Sequence, residues 1–244
     1  MHARLQTSLS EAFVLDAAQS IGQIAVQLPG ATAVFRRLKL DFCCGGQISL
    51  AQAAADKGLD VPSVLGELAA LQRSQGAAEP SDASTLMEHI LARYHDVHRE
   101  QLPELIRMAR RVQAVHRDHP QVPVGLAELL DHAEQDLLVH LFKEESQLFP
   151  LLKAGGGAAA QQQIGVLRAE HARLGLMLEQ LLALCHNATP PEGACNTWRA
   201  LYAGLAQMHD DVTSNIHLEN NVLFTQFEAP VQAQSKSPCC GCCG

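Results

Sequence analysis

The sequence predicts an all-α protein: a small helical N-terminal domain followed by a four-helix bundle. Aromatic residues make up only 4% of the chain, while Ala, Leu and Gln abound. Strands draw on aromatic and β-branched side chains, so this mix favours helices. Four long stretches with helical periodicity, about 84–116, 123–152, 160–187 and 195–227, are joined by short connections rich in Gly or Pro. With 244 residues and 47% apolar content, the chain can bury a sizeable core.

The elements follow in order. Ile21, Ile24, Ala25 and Leu28 keep helical spacing, and Pro29-Gly30 ends that segment. A second helix is expected over Ala33–Leu40. Asp41-Phe42-Cys43-Cys44-Gly45-Gly46 then reads as a turn. Ser49 can cap a helix from Leu50 that Gly58 ends. Asp60-Val61-Pro62 opens a last short helix over Ser63–Gln72, which closes a first domain of residues 1–72. Residues 73–83, polar with Gly and Pro, read as a linker. The bundle occupies 84–228, with Pro103 expected to kink its first helix. Residues 229–244 read as a flexible tail containing Cys239, Cys240, Cys242 and Cys243, four thiols that could wrap a soft metal or carry no function.

The net charge of -8 argues against nucleic acid as a partner. No apolar run approaches the roughly 18 residues of a membrane span. Glu11 and Asp16 interrupt the N-terminal apolar stretch, so it does not read as a secretory signal, and a cytoplasmic location is expected. Two counts stand out, 12 His and 8 Cys. Adjacent cysteines bridge each other only with strain, so the paired thiols suggest metal or redox chemistry. Cys185 and Cys195 read as packing or loop cysteines.

The bundle repeats itself. Glu144, Leu148 and Phe149 recur as Glu219, Leu223 and Phe224 at an offset of 75 residues, and His95 and His171 differ by 76. His140 and Glu144 are i,i+4 and share a helical face. Imidazoles and carboxylates projected inward from facing helices are how bundles hold two metals. A carboxylate can bridge two cations, and imidazole suits iron. The set is His95, His140, Glu144, His171 and Glu219. His98 shares the face of His95 roughly, as a ligand, a supporting residue or a core histidine. Asp136 and Glu170 could orient ligands or form surface ion pairs. His116, His119, His132 and His186 read as ordinary histidines.

The stretch Tyr94-His95-Asp96-Val97-His98-Arg99-Glu100-Gln101-Leu102-Pro103-Glu104-Leu105 resembles the repair-of-iron-centres family of hemerythrin-like proteins. So do the segments from His140 to Pro150 and from Leu218 to Phe224. Asp41-Phe42-Cys43-Cys44-Gly45-Gly46 matches that family's short N-terminal domain. The resemblance covers nearly all of residues 12–228 and does not extend to the tail. It implies a di-iron centre of two non-haem iron ions. It also implies a cytoplasmic stress role in repairing iron–sulfur clusters damaged by nitric oxide or oxidants. His95, His140 and His171 match terminal ligands, and Glu144 and Glu219 match bridging ligands. The remaining family ligand is a histidine four residues before the last glutamate, where this chain has Asn215. The repeat agrees, since Asn215 stands where His140 stands. An amide oxygen is a weaker iron donor than imidazole, so one iron is expected to be held more weakly, by Asn215 or water. His217 lies two residues along, about 200° around a helix, and points away unless a π-bulge rewinds the chain.

The leading expectation is a di-iron repair protein with damaged iron–sulfur proteins as partners and Cys43 and Cys44 handling transfer. A structural role for the thiol pair stays open. The alternatives are a nitric oxide reductase or scavenger, and a nitric oxide or oxygen sensor or carrier, so the question of an enzyme is open. So are a homodimer, the client and the electron donor.

Overall fold

The computed structural model describes residues 15–28, 30–72 and 82–228. Most of the expected linker (73–81) and the cysteine-rich tail with Cys239, Cys240, Cys242 and Cys243 lie outside the described residues. So do Pro29 and residues 1–14. Among the described residues there is no strand, only an isolated bridge between Ser20 and Ser49. No helix among them is long and apolar enough to cross a membrane.

Four short helices pack around one apolar cluster: α1 (Ile21–Gln27), α2 (Ala31–Arg37), α3 (Leu50–Asp56) and α4 (Val61–Gln72). Ser20 and Ser49 cap α1 and α3, each hydroxyl accepting the N–H three residues on. Helix α2 differs from the expected Ala33–Leu40. It starts after Gly30, whose φ is 87°, and stops at Arg37. Lys39 takes a left-handed φ of 54°, and the Leu40 N–H donates back to the Phe35 carbonyl at 2.9 Å. Leu40 is therefore buried from the turn, not from the helix.

The bundle begins with α5 (Ala83–Ile90), capped by the Asp82 carboxylate. A π turn (Leu91–His95) joins it to α6 (Asp96–Val115), which runs through Pro103 without a break. Helix α7 (Leu126–Lys143) passes through a π turn (Glu144–Leu148) into α8 (Phe149–Lys153). Helix α9 (Ala158–Leu184) is regular throughout. Helix α10 (Asn196–Leu218) ends in a π turn (Glu219–Leu223) and a 3₁₀ turn (Phe224–Gln226). Two of the three π turns begin at the repeat-related Glu144 and Glu219, and the third ends at His95. Such turns insert a residue and recur at functional sites.

Two apolar clusters fill the bundle. One gathers Leu102, Leu105, Leu137, Leu141, Leu174 and Val212 with Trp198 and Tyr202. The other gathers Leu86, Ile90, Leu148, Phe149, Leu167 and Phe224. Fully burying each such side chain contributes about 1.5–3 kcal/mol. Along each helix the buried His and Glu residues lie where one cluster gives way to the other. His116 and His119 pack against Trp198, and Cys185 is buried in the first cluster.

Candidate metal centre

His95, His140, Glu144, His171 and Glu219 come together, and all five are nearly or fully inaccessible to solvent. One ligand atom from each of His140, Glu144, His171 and Glu219 lies within 4.8 Å of the others. Glu144 Oε1 is 3.4 Å from His140 Nε2 and 3.7 Å from His171 Nε2. Glu219 Oε2 is 3.0 Å from His171 Nε2. The other two oxygens face another imidazole: Glu144 Oε2 and Glu219 Oε1 lie 3.4 and 3.6 Å from His95 Nε2. Asn215 is buried on that side, and its amide N–H donates to Glu219 Oε1 at 2.9 Å.

Each imidazole is gripped through Nδ1. Glu145 Oε1 lies 2.8 Å from His95 Nδ1, and Arg99 also donates to that oxygen. Glu170 Oε2 lies 3.0 Å from His140 Nδ1, with Lys143 on its other oxygen. Ionised carboxylates only accept, so each ring donates from Nδ1 and turns Nε2 inward. Asn220 Oδ1 lies 2.9 Å from His171 Nδ1. Its amide N–H donates to the Cys43 carbonyl at 3.0 Å, which fixes Oδ1 toward the ring. Phe149 and Phe224 stack on His95 and His171, with ring centroids 6.0 and 5.9 Å apart.

This donor set fits a cation. Nε2 of His140 and Nε2 of His171 stand 3.1 Å apart, two nitrogens that repel unless a positive charge lies between them. Burial would depress His171, but Glu144 and Glu219 outweigh it and hold its pKa up to about 10. Burial raises Glu144, and the nearby Glu219 raises it further. Burial also opposes ionisation of Glu219, but the neighbouring His171 and His95 imidazoles hold it well below the usual range. His95 Nε2, both oxygens of Glu144, Glu219 Oε2 and Asn215 Oδ1 have no hydrogen-bond partner. Buried polar atoms left this way are costly unless a ligand completes them.

His217 does not join the site. It packs on Phe42 at 5.2 Å between ring centroids and contacts the Asn221 amide. The π turn of α10 starts two residues later, so it does not rewind His217 inward. Asp136 is exposed, whereas Glu170 is a gripping residue. Glu145 and Asn220 were not singled out from sequence, although each directly follows a repeat-related glutamate.

Cys43 and Cys44 sit beside the His171 end of the site. The Cys43 thiol donates to Asp41 Oδ1 at 3.2 Å and lies 3.9 Å from the Cys44 sulfur. The Cys43 thiol's contact lowers the Cys44 pKa, against burial and Asp41. The same contact, with burial, pushes Cys43 up. The turn therefore makes the two thiols unequal. It is held to the bundle by Asn220 and by Asn221, whose amide donates to the Phe42 carbonyl at 3.2 Å.

Comparison with known proteins agrees with this geometry. Residues 86–227 match the hemerythrin HHE cation binding domain, and residues 17–72 match ScdA_N, a domain of unknown function. The chain is 46% identical over 209 residues to the iron-sulfur cluster repair protein YtfE of Yersinia pseudotuberculosis, covering 84% of this chain and 95% of that protein. It is 46% identical over 208 residues to the protein of that name from Citrobacter koseri, covering 84% and 94%. A buried His/Glu cluster in a helical bundle, the Cys-Cys-Gly-Gly domain docked beside it, and near full-length similarity lead to one conclusion: the chain belongs to the repair-of-iron-centres family of hemerythrin-like proteins.

Proposed function

We propose that the bundle holds two iron ions and that the protein takes part in repairing damaged iron–sulfur proteins, the activity named for its relatives. The observation that carries the two-iron reading is the division of carboxylate oxygens. Glu144 Oε1 and Glu219 Oε2 lie with His140 and His171, while Glu144 Oε2 and Glu219 Oε1 lie with His95 and Asn215. Two carboxylates shared by two ions would present their oxygens in that way. His140 and His171 would hold one iron, and His95, with Asn215 as a weak donor, would hold the other.

Bound iron supplies one-electron chemistry and affinity for small ligands such as nitric oxide or oxygen. The protein's own contribution is orientation and exclusion of water. Glu145, Glu170 and Asn220 hold each Nε2 inward. The exposed Cys44, its pKa lowered, is placed to meet iron or sulfur of a client. Repair of cytoplasmic clients by a domain of residues 1–72, linked through 73–83 to the bundle at 84–228, is the arrangement this reading requires. The relatives' names support repair over nitric oxide reduction or sensing.

The test is anaerobic iron quantification with Mössbauer spectroscopy, then repair of a nitric-oxide-damaged cluster protein in vitro. Two coupled irons and repair that drops in Cys43→Ser/Cys44→Ser at unchanged iron content are expected. A chain that binds no more than one iron, or that releases nitrous oxide catalytically without repairing the client, would overturn the reading.

A further inference from the structure

One buried residue of the bundle is not used by the reading above. His98 is 1% exposed, and both of its ring nitrogens are without a hydrogen-bond partner. A neutral imidazole has one donor and one acceptor, and leaving both unmet in a core is expensive. A histidine in that state is either badly placed or waiting for a ligand.

Its surroundings favour the second. His98 follows His95 by three residues at the start of α6, so the two rings project about 60° apart around the helix and about 4.5 Å along it. Side chains at that spacing can meet at one atom. The charged groups that act on His98 are Asp211, His95, Glu219 and Arg93. Asp211 and Asn215 on α10 and Glu219 at the start of its π turn succeed each other at four-residue steps, and all three are buried. Helix α6, which carries His98, packs on α10, where Asn215 stands between Asp211 and Glu219. The Asp211 carboxylate is already engaged by Arg93 at 2.6 Å, and Asn215 Oδ1 is unpartnered like His98.

We propose that His98 is a ligand of the iron bound by His95, supplying from α6 the imidazole that the repeat places at position 215 and this chain has replaced with Asn215. The His-x-x-His pair at the junction of the π turn and α6 would then balance the two imidazoles, His140 and His171, at the other iron. This rests on the two-iron reading.

The test starts with the parent chain, loaded anaerobically with ferrous iron and titrated with a chelator. Fewer than two irons in the parent would defeat the two-iron reading itself. Given two, His98→Leu, which keeps the volume of a buried apolar side chain, should make one iron at least about tenfold easier to remove. Its Mössbauer spectrum should lose one of two equal ferrous signals first. Adding Asn215→His to His98→Leu should restore retention, because an imidazole returns to the same iron from the facing helix. Circular dichroism and thermal unfolding of the iron-free proteins establish that the variants fold. Should His98→Leu misfold, His98→Gln, which keeps polarity but not imidazole, carries the comparison. A folded variant holding both irons as tightly as the parent, or one that Asn215→His does not rescue, overturns the proposal.

Discussion

The two halves of the bundle share one plan and differ at the residues that surround it. In each, a glutamate opens a π turn, the next residue grips the imidazole on the preceding helix, and a phenylalanine five positions on stacks against that ring. The first half uses Glu144, Glu145 and Phe149 around His95. The second uses Glu219, Asn220 and Phe224 around His171. The gripping residue is a carboxylate in the first half and a neutral amide in the second. A carboxylate only accepts, whereas an amide accepts with one end and donates with the other. Asn220 uses its second end on the Cys43 carbonyl. The second half gives up a charge on its histidine and gains an attachment for the thiol-bearing domain.

The shared plan predicts the largest effect. Glu144→Ala and Glu219→Ala should each remove most of the bound iron, since either carboxylate has an oxygen on both sides of the site. Retention of two irons per chain in either variant would sink the symmetric description.

The difference between halves predicts the next effect. Glu145→Ala and Asn220→Ala should weaken iron binding by about 10–100-fold. Glu145→Ala should be the worse, because a hydrogen bond to a charged group contributes about 1.5–3 kcal/mol and a neutral one about 0.5–1.5. Asn220→Asp separates the two functions of the amide. It keeps an acceptor for His171 and cannot donate to Cys43, so iron retention should hold while amide hydrogen exchange around residues 42–46 speeds up. Unchanged exchange there would mean that Asn221 alone secures the turn.

The plan is legible in sequence because His and Glu are the residue types that suit iron, and helical spacing with a repeat of 75 residues aligns them. Spacing and family resemblance thus lead to the five residues that the fold gathers, and helical geometry turns His217 away from them. The grip was less legible. Asn220 and Glu145 have no chemical type in common, and only position relates them. The end of α2 was misplaced because Leu40 is apolar and buried, which periodicity counts as helix, whereas the left-handed Lys39 carries it into a turn. The His98 environment depends on what faces it across α10, and no spacing along one helix reveals that.

The attachment itself is tight. A Cβ on Gly46 would meet the Phe42 carbonyl oxygen and would come within 3.1 Å of Gly22 Cα. A Cβ on Gly22 would lie 2.8 Å from Asn221 Oδ1 and 2.9 Å from the Gly46 carbonyl oxygen. The turn therefore has room for backbone only. Gly46→Ala should destabilise the protein by about 1–3 kcal/mol, lowering the unfolding midpoint by roughly 2–4 °C for each kcal/mol. The iron content at low temperature should stay near that of the parent, because no ligand moves. An unchanged midpoint would show that the turn relaxes without cost.

The smallest effect concerns the two thiols that the second half holds in place. Cys44 is exposed and its pKa lies below the ordinary thiol value, chiefly through its contact with the Cys43 thiol. Cys43 is half-buried, and the same contact, burial and Asp41 push its pKa up. The thiolate is the reactive form. A lowered pKa brings that form in at lower pH, so Cys44 should be alkylated first and its rate should rise earlier as pH is increased. Iodoacetamide time courses across a pH series, read by mass spectrometry on Cys43→Ser and Cys44→Ser, give one rate for each sulfur. Serine at position 43 keeps a donor, whereas alanine removes it. Cys43→Ala should therefore shift the Cys44 profile to higher pH relative to Cys43→Ser. Arg168 and His171 also lower Cys44, so the shift should be partial. Identical profiles in the two variants would place the activation of Cys44 in the bundle's charges, and the turn would then only present the thiol.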